Sequence, residues 1–250
     1  DAAKVKALLA KGADVKAKTN MGQHALAVAA GIPRATESVR LLLAAGAPVN
    51  ETGSRGSTPL LNAVGAACAE ENAKMLLVAG ADAKAVDGSG YGISGAVSSC
   101  PIGLVKDLLE RGGNVNQQIV RGGKARHGDI QLRGLTGLMF ASAHREPEMV
   151  KMLLASEADV NIKDVRGMTA LHFAVSSEGQ NPAVVKMLLD KGSDKTAKDN
   201  NGEDALAWAK KFNNPKVLAL LGGTAERVSA MQATALVATG KGPGTQVAHT

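Results

Sequence analysis

A short apolar pattern recurs seven times along the chain: a β-branched or small residue, two others, then Leu-Leu. It begins at Val5, Val39, Ala73, Val105, Val150, Val185 and Val217, at intervals of 34, 34, 32, 45, 35 and 32 residues. Apolar residues at i, i+3 and i+4 share one face of a helix. A helix this short cannot bury its stripe alone, so the repetition demands units that stack in order and cover one another. Composition agrees. Of 250 residues, 45% are hydrophobic and 21% charged, the profile of a folded chain, yet only 2% are aromatic. The aromatics are Tyr91, Phe140, Phe173, Trp208 and Phe212, so the core must be thin and built from Ala, Leu, Val and Met. No apolar run approaches the roughly 18–20 residues that cross a bilayer.

Upstream of six of the seven Leu-Leu segments lies an apolar residue followed three later by Ala: Leu26/Ala29, Leu60/Ala63, Ile93/Ala96, Leu138/Ala141, Leu171/Ala174 and Leu206/Ala209. A small residue there lets two helices approach, so each unit holds two short antiparallel helices. Gly12, Gly46, Gly80, Gly112 and Gly192 stand where the second helix ends, because glycine enters the left-handed conformation of a helix stop without steric cost. Glu157 takes that place in the fifth unit. Polar turns and Asp- or Gly-rich bends follow, such as Asp164-Val-Arg-Gly167 and Asp199-Asn-Asn-Gly202.

These residues resemble the ankyrin repeat. The Gly-x-Thr-Pro-Leu-His-x-Ala opening of that family appears as Gly56-Ser-Thr-Pro-Leu-Leu-Asn-Ala63 and Gly167-Met-Thr-Ala-Leu-His-Phe-Ala174, and its close as Leu8-Leu-Ala-Lys-Gly-Ala-Asp-Val-Lys16. The resemblance implies an all-α solenoid of about seven helix-turn-helix repeats, the first partial, joined by β-hairpin or finger loops. The expected units are 1–19, 20–53, 54–86, 87–133, 134–164, 165–199 and 200–221, followed by a short helix and flexible tail over 222–250. The fourth departs most, with Tyr91-Gly92-Ile93 for Thr-Pro-Leu and Gly95 inside its first helix, where glycine costs about 1 kcal/mol against Ala. The last unit reads as a polar cap. The first opens inside its second helix, so an upstream segment or a longer native protein is expected. The Lys/Ala-rich repeats look similar to bacterial ankyrin proteins, some exported and fused to other domains. Periplasmic, extracellular and cytoplasmic settings all remain open.

The 45-residue interval exceeds the period of roughly 33 by about 12. The surplus falls in 117–133, which carries Arg121, Lys124, Arg126, His127 and Arg133 against Asp129, a net +3 of the chain's +6. Alternation of Ile119, Val120, Ile130 and Leu132 with polar residues predicts an ordered hairpin. The resemblance places it as a finger between the fourth and fifth units, on the binding side, and long loops on rigid scaffolds often carry function. Arg55, Lys163 and Arg166 are expected at other tips. Phe140, Phe173 and Trp208 share one first-helix slot, held earlier by Val28, Asn62 and Gly95, and are expected to fill core. Cys68 and Cys100 sit at matching turns of neighbouring units. Helix axes about 10 Å apart exceed the roughly 7 Å Cα separation a disulfide tolerates, so two free thiols are expected. The resemblance gives His172 a structural role in ordering the turns. The five histidines show no metal-ligand spacing, and nucleotide-loop, haem and zinc-protease motifs are absent. The expected activity is therefore non-catalytic, without cofactor or metal: a scaffold that binds another protein through its concave face and fingers. The alternative is an accessory subunit of a larger assembly, such as one in a bacterial envelope. A pI of 9.3 raises nucleic acid as a third partner class, but the chain lacks a broad basic stripe or exposed stacking aromatics.

Overall fold

A computed structural model describes residues 1–20, 22–65, 67–120, 124–125, 128–131, 133–144, 146–176 and 180–223, with backbone alone at 54, 124–125 and 128–131. The helix and tail expected over 222–250 lie, from residue 224 on, outside the described residues.

The described helices follow the expected alternation. A single helix, α1 (Ala2–Ala10), is followed by six pairs: α2 (Ala25–Ala30) with α3 (Thr36–Ala44), α4 (Pro59–Ala63) with α5 (Glu70–Val78), α6 (Ile93–Ser99) with α7 (Ile102–Glu110), α8 (Gly137–His144) with α9 (Pro147–Ala155), α10 (Ala170–Val175) with α11 (Pro182–Asp190), and α12 (Ala205–Lys210) with α13 (Pro215–Leu221). First helices pack on first helices and second on second, in sequence order, most sparsely where α4 meets α6 and α5 meets α7. The recurring motif is the reason. Val39 and Leu42, Ala73 and Leu76, Val105 and Leu108, Val150 and Leu153, and Val185 and Leu188 are all buried. Each fully buried leucine contributes about 1.5–3 kcal/mol. Leu26, Leu60, Leu138 and Leu171 supply the facing layer from the first helices, with Ala29, Ala63, Ala96, Ala141, Ala174 and Ala209 buried beside them. In α1 no residue is buried and Leu8 is 57% exposed.

Local polar chemistry starts and stops these short helices. The Thr58, Thr136 and Asp204 side chains accept from the N–H three residues on, at 3.2, 3.3 and 2.8 Å, satisfying donors that a helix leaves open at its start. At Gly92, which caps α6, no side chain does so. Gly113 lies over the Ile93 side chain as Gly223 lies over that of Leu206, so Ile93 fills the leucine slot although it opens its helix. The stop position is left-handed throughout, and Glu157 adopts φ 63° there.

Successive units are joined by fingers, each closed by a backbone bond from an N–H to the carbonyl four residues on: Thr19 to Gln23, Gly53 to Ser57, Asp87 to Tyr91, Asp164 to Met168 and Asp199 to Glu203, at 2.8–3.0 Å. In the long unit the same bond runs from Ile119 N–H to Leu135 O at 3.0 Å. It spans 16 residues in place of four, so the insertion is 12 residues spliced into the tip of an ordinary finger. Within it β1 (Lys124–Ala125) pairs antiparallel with β2 (Gly128–Gln131), Lys124 opposite Gln131 and Ala125 opposite Gly128. Ile119, expected on the hairpin, is fully buried at its root.

The free-thiol expectation is overturned. Cys68 and Cys100 are joined as a disulfide, Cα–Cα 5.3 Å. The turns do not match. Residues 64–69 separate α4 from α5, whereas only 100–101 separate α6 from α7. The longer loop carries Cys68 across to the neighbouring unit, with φ 35° at Cys68.

Candidate interaction surface

The fingers are tied tip to tip. Gly88 N–H donates to Arg55 O at 2.6 Å, Val120 N–H to Ser89 O at 2.8 Å, Val165 N–H to Arg133 O at 3.2 Å and Asn200 N–H to Arg166 O at 2.8 Å. One hydrogen-bonded edge therefore runs through four junctions, and the insertion leaves it between Val120 and Arg133. The approach is close enough to exclude side chains: a Cβ at Gly134, where φ is 82°, would stand 2.8 Å from Asp164 Cα.

This edge collects four of the eight basic and histidine positions singled out from the sequence. Arg55 and Arg133 are exposed. Arg133 Nε donates to Val120 O at 3.1 Å, clasping the root of the insertion. Lys163 is exposed and its Nζ donates to Lys198 O at 3.1 Å, while its carbonyl accepts from the Gln118 amide at 3.0 Å. Arg166 is half-buried, paired with Asp164 at 2.6 Å, and its guanidinium lies 5.3 Å from the centre of the Phe173 ring. Lys124 contributes backbone to β1, and Arg121, Arg126 and His127 lie outside the described residues.

Behind the tips, Phe140, Phe173 and Trp208 pack against the core and are half-buried, an outcome between core filler and surface patch. Trp208 Nε1–H donates to Asp199 Oδ2 at 3.0 Å, and Lys211 Nζ lies 4.0 Å from the Trp208 ring centre while also pairing with Glu203 at 2.7 Å. Cation–ring contacts of this kind contribute about 0.5–1 kcal/mol at exposed sites. In the fourth unit Tyr91 takes over the slot: a Cβ at Gly95 would sit 3.3 Å from its Cδ1. The missing side chain at Gly95 is thus replaced by a ring from four residues upstream.

His172, in α10, and Asp199, in the finger beyond it, carry shifted protonation. Burial pushes the His172 imidazole below its ordinary value, against the opposing pull of its bond to Glu203 O at 3.3 Å. As expected for a structural histidine, it joins its own helix start, through Thr169 at 2.9 Å, to the next finger. Burial acts to raise the Asp199 carboxyl, but the Glu203 N–H, the Trp208 indole and the Asn201 N–H outweigh it and hold the group below the usual carboxylate range. The sequence reading marked Asp164 and Asp199 as bend residues but gave them no bonding role, although Asp87, Asp164 and Asp199 recur at one place. Among the described residues no three His, Cys, Asp or Glu side chains gather as a metal cage, and no helix is long and apolar enough to cross a membrane.

A stack of helix pairs with a continuous finger edge defines a repeat solenoid of the kind that presents a rigid surface. The family model for ankyrin repeats (3 copies) matches residues 94–199 and 138–230, and the chain belongs to the ankyrin repeat family. The human ASB11 ankyrin repeat domain is similar at 26% identity and a TM-score of 0.68, covering 92% of this chain and 97% of that one. The ankyrin repeat domain of Bcl-3, a member of the IkappaB protein family, is similar at 25% identity and a TM-score of 0.65, covering 89% and 92%. No curated protein sequence matches the chain significantly. Ankyrin repeats are generally protein–protein interaction modules.

Proposed function

We propose that this chain is a non-catalytic scaffold that holds a protein partner along its finger edge and the half-buried aromatic row behind it. The observation that carries this reading is the tip-to-tip hydrogen bonding, which makes separate loops one edge whose geometry is set before binding, so little ordering entropy opposes association. Arg55, Arg133, Lys163 and Arg166 on that edge, with Arg121, Lys124, Arg126 and His127 of the insertion, are the contacts. Their charge suits an acidic partner surface and speeds its encounter.

The test is a deletion. Removing 119–132, the whole hairpin by sequence, would also extract buried Ile119. Removing 121–132 joins Val120 to Arg133 and restores the four-residue spacing of the other fingers. The partner is first identified by crosslinking in the native source and mass spectrometry. The 121–132 deletion is expected to keep the helical circular dichroism spectrum and weaken the partner about tenfold or more. Unchanged affinity in the folded deletion would overturn the reading.

A second reading is an accessory subunit of a larger assembly, for which a native mass above that of one chain is the discriminating measurement. The Cys68–Cys100 bridge supports an oxidising setting, periplasmic or extracellular, over the cytoplasm.

A further inference from the structure

The junction between the α4–α5 pair and the α6–α7 pair is unlike the others. Among neighbouring first helices α4 and α6 approach far less than any other pair; among second helices α5 and α7 approach least, with α7 and α9 next. Both layers thin at the same place.

The polar ties thin there too. Across the preceding junction Asn50 forms a two-bond rung, donating to Gly80 O at 2.9 Å and accepting from Asp82 N–H at 2.8 Å. Asn161 repeats it with Gly192 O at 3.1 Å and Asp194 N–H at 2.9 Å, and Asn116 accepts from Asp159 N–H at 2.8 Å. At the thin junction the rung position is Lys84, whose stem lies over Gly112 and which has no oxygen to accept with. The rung is also missing at Lys16 and Thr196, but the helices on either side of those places pack well. Asn72, buried in α5, adds bonds to Ala30 O at 3.0 Å and Ile32 O at 2.9 Å across the preceding junction. Across the thin one run the Gly88–Arg55 bond, a long bond from Arg111 to Leu77 O at 3.4 Å, and the Cys68–Cys100 disulfide.

We infer that this disulfide is a redox-sensitive clasp on a built-in hinge: it closes the junction that helix packing leaves weak, and opening it lets 1–86 and 87–223 move as two bodies. Stability in a repeat stack is a sum of unit terms and nearest-neighbour terms. A covalent tie at the smallest neighbour term therefore changes coupling between the halves more than it would anywhere else. A dithiol reductant supplies two electrons and two protons, the Sγ–Sγ bond breaks to two thiols, and the reductant closes to its own disulfide. Arg55 lies on one side of the hinge, and Arg133, Lys163 and Arg166 lie on the other, so reduction breaks the rigid edge in two.

Hydrogen exchange read by mass spectrometry tests this on the full chain, oxidised and after dithiothreitol, beside the Cys68→Ser/Cys100→Ser variant. Reduction is expected to raise exchange in α4 to α7 about tenfold or more while α10 to α12 stay within about twofold. The double variant is expected to match the reduced protein. Lys84→Asn, which places an amide where Asn50 and Asn161 have theirs, is expected to recover part of the lost protection in the reduced state. The inference is overturned if reduction leaves exchange unchanged, or raises it evenly along the chain, since the bridge would then serve overall stability. Full reactivity of both thiols in the oxidised protein, or no recovery with Lys84→Asn, overturns it as well.

Discussion

At the scale of single residues, two positions show how local chemistry sets stability. Glu157 holds a left-handed conformation, φ 63°, where the six other units place glycine. The Cβ penalty there is about 1 kcal/mol, so Glu157→Gly is expected to raise stability by about that amount, read as a shift in the urea midpoint with unchanged slope. His172 is a base whose folded value is lowered by burial. Well above pH 7 it is neutral in both states. Below its ordinary value of 6.5 the unfolded chain takes the proton first, so stability falls as pH drops from there toward the folded value. Titrated thermal melts are expected to show this loss, and His172→Gln is expected to flatten it below the ordinary histidine value while lowering stability at pH 7 by about 1–2 kcal/mol through the lost buried bonds. An unchanged acid slope in that variant would remove His172 as its origin. Asp199 acts in a lower window: its depressed carboxyl gives up stability only as pH falls through its folded value, beneath the ordinary 3.8.

Individual helices and loops show which parts of the fold were legible. Helix pairs, glycine stops and the length of the insertion follow from spacing, because each depends on chain-local patterns of burial and turn geometry. The 12-residue surplus matches the shift from a four-residue to a 16-residue finger closure. The disulfide was not legible. The expectation of free thiols assumed that matching turns are spaced like the helices, but the loop 64–69 is longer than its counterpart 100–101 and crosses over. Nor was the substitution of Tyr91 for a side chain at Gly95, since nothing in the spacing of 91 and 95 tells a reader where a ring lies. Of the candidate contacts, Arg55, Arg133, Lys163 and Arg166 do share an edge, but their differences in pairing, with Arg166 held by Asp164 and Phe173, depend on three-dimensional neighbours alone. Arg166→Ala is therefore expected to cost stability through lost packing and pairing, about 1 kcal/mol, whereas Arg55→Ala leaves the urea midpoint within error.

For the whole molecule, contacts only between neighbours mean that cooperativity is a property of junctions. Trp208 is the single tryptophan and sits in the last pair, so its fluorescence reports the far end of the stack while far-UV circular dichroism reports all of it. With the bridge closed the two signals are expected to follow one urea transition. With it reduced, the dichroism curve is expected to broaden and begin earlier, the signature of halves that unfold separately. Coincident curves in both states would show the chain to be a single cooperative unit regardless of redox. The root of the long finger carries a different consequence. Because Ile119 and Leu135 close it with the same bond that closes every short finger, the twelve residues above behave as a cassette: evolution can lengthen, shorten or rewrite them, and a protein engineer can graft a foreign epitope there, without renegotiating anything in the stack below.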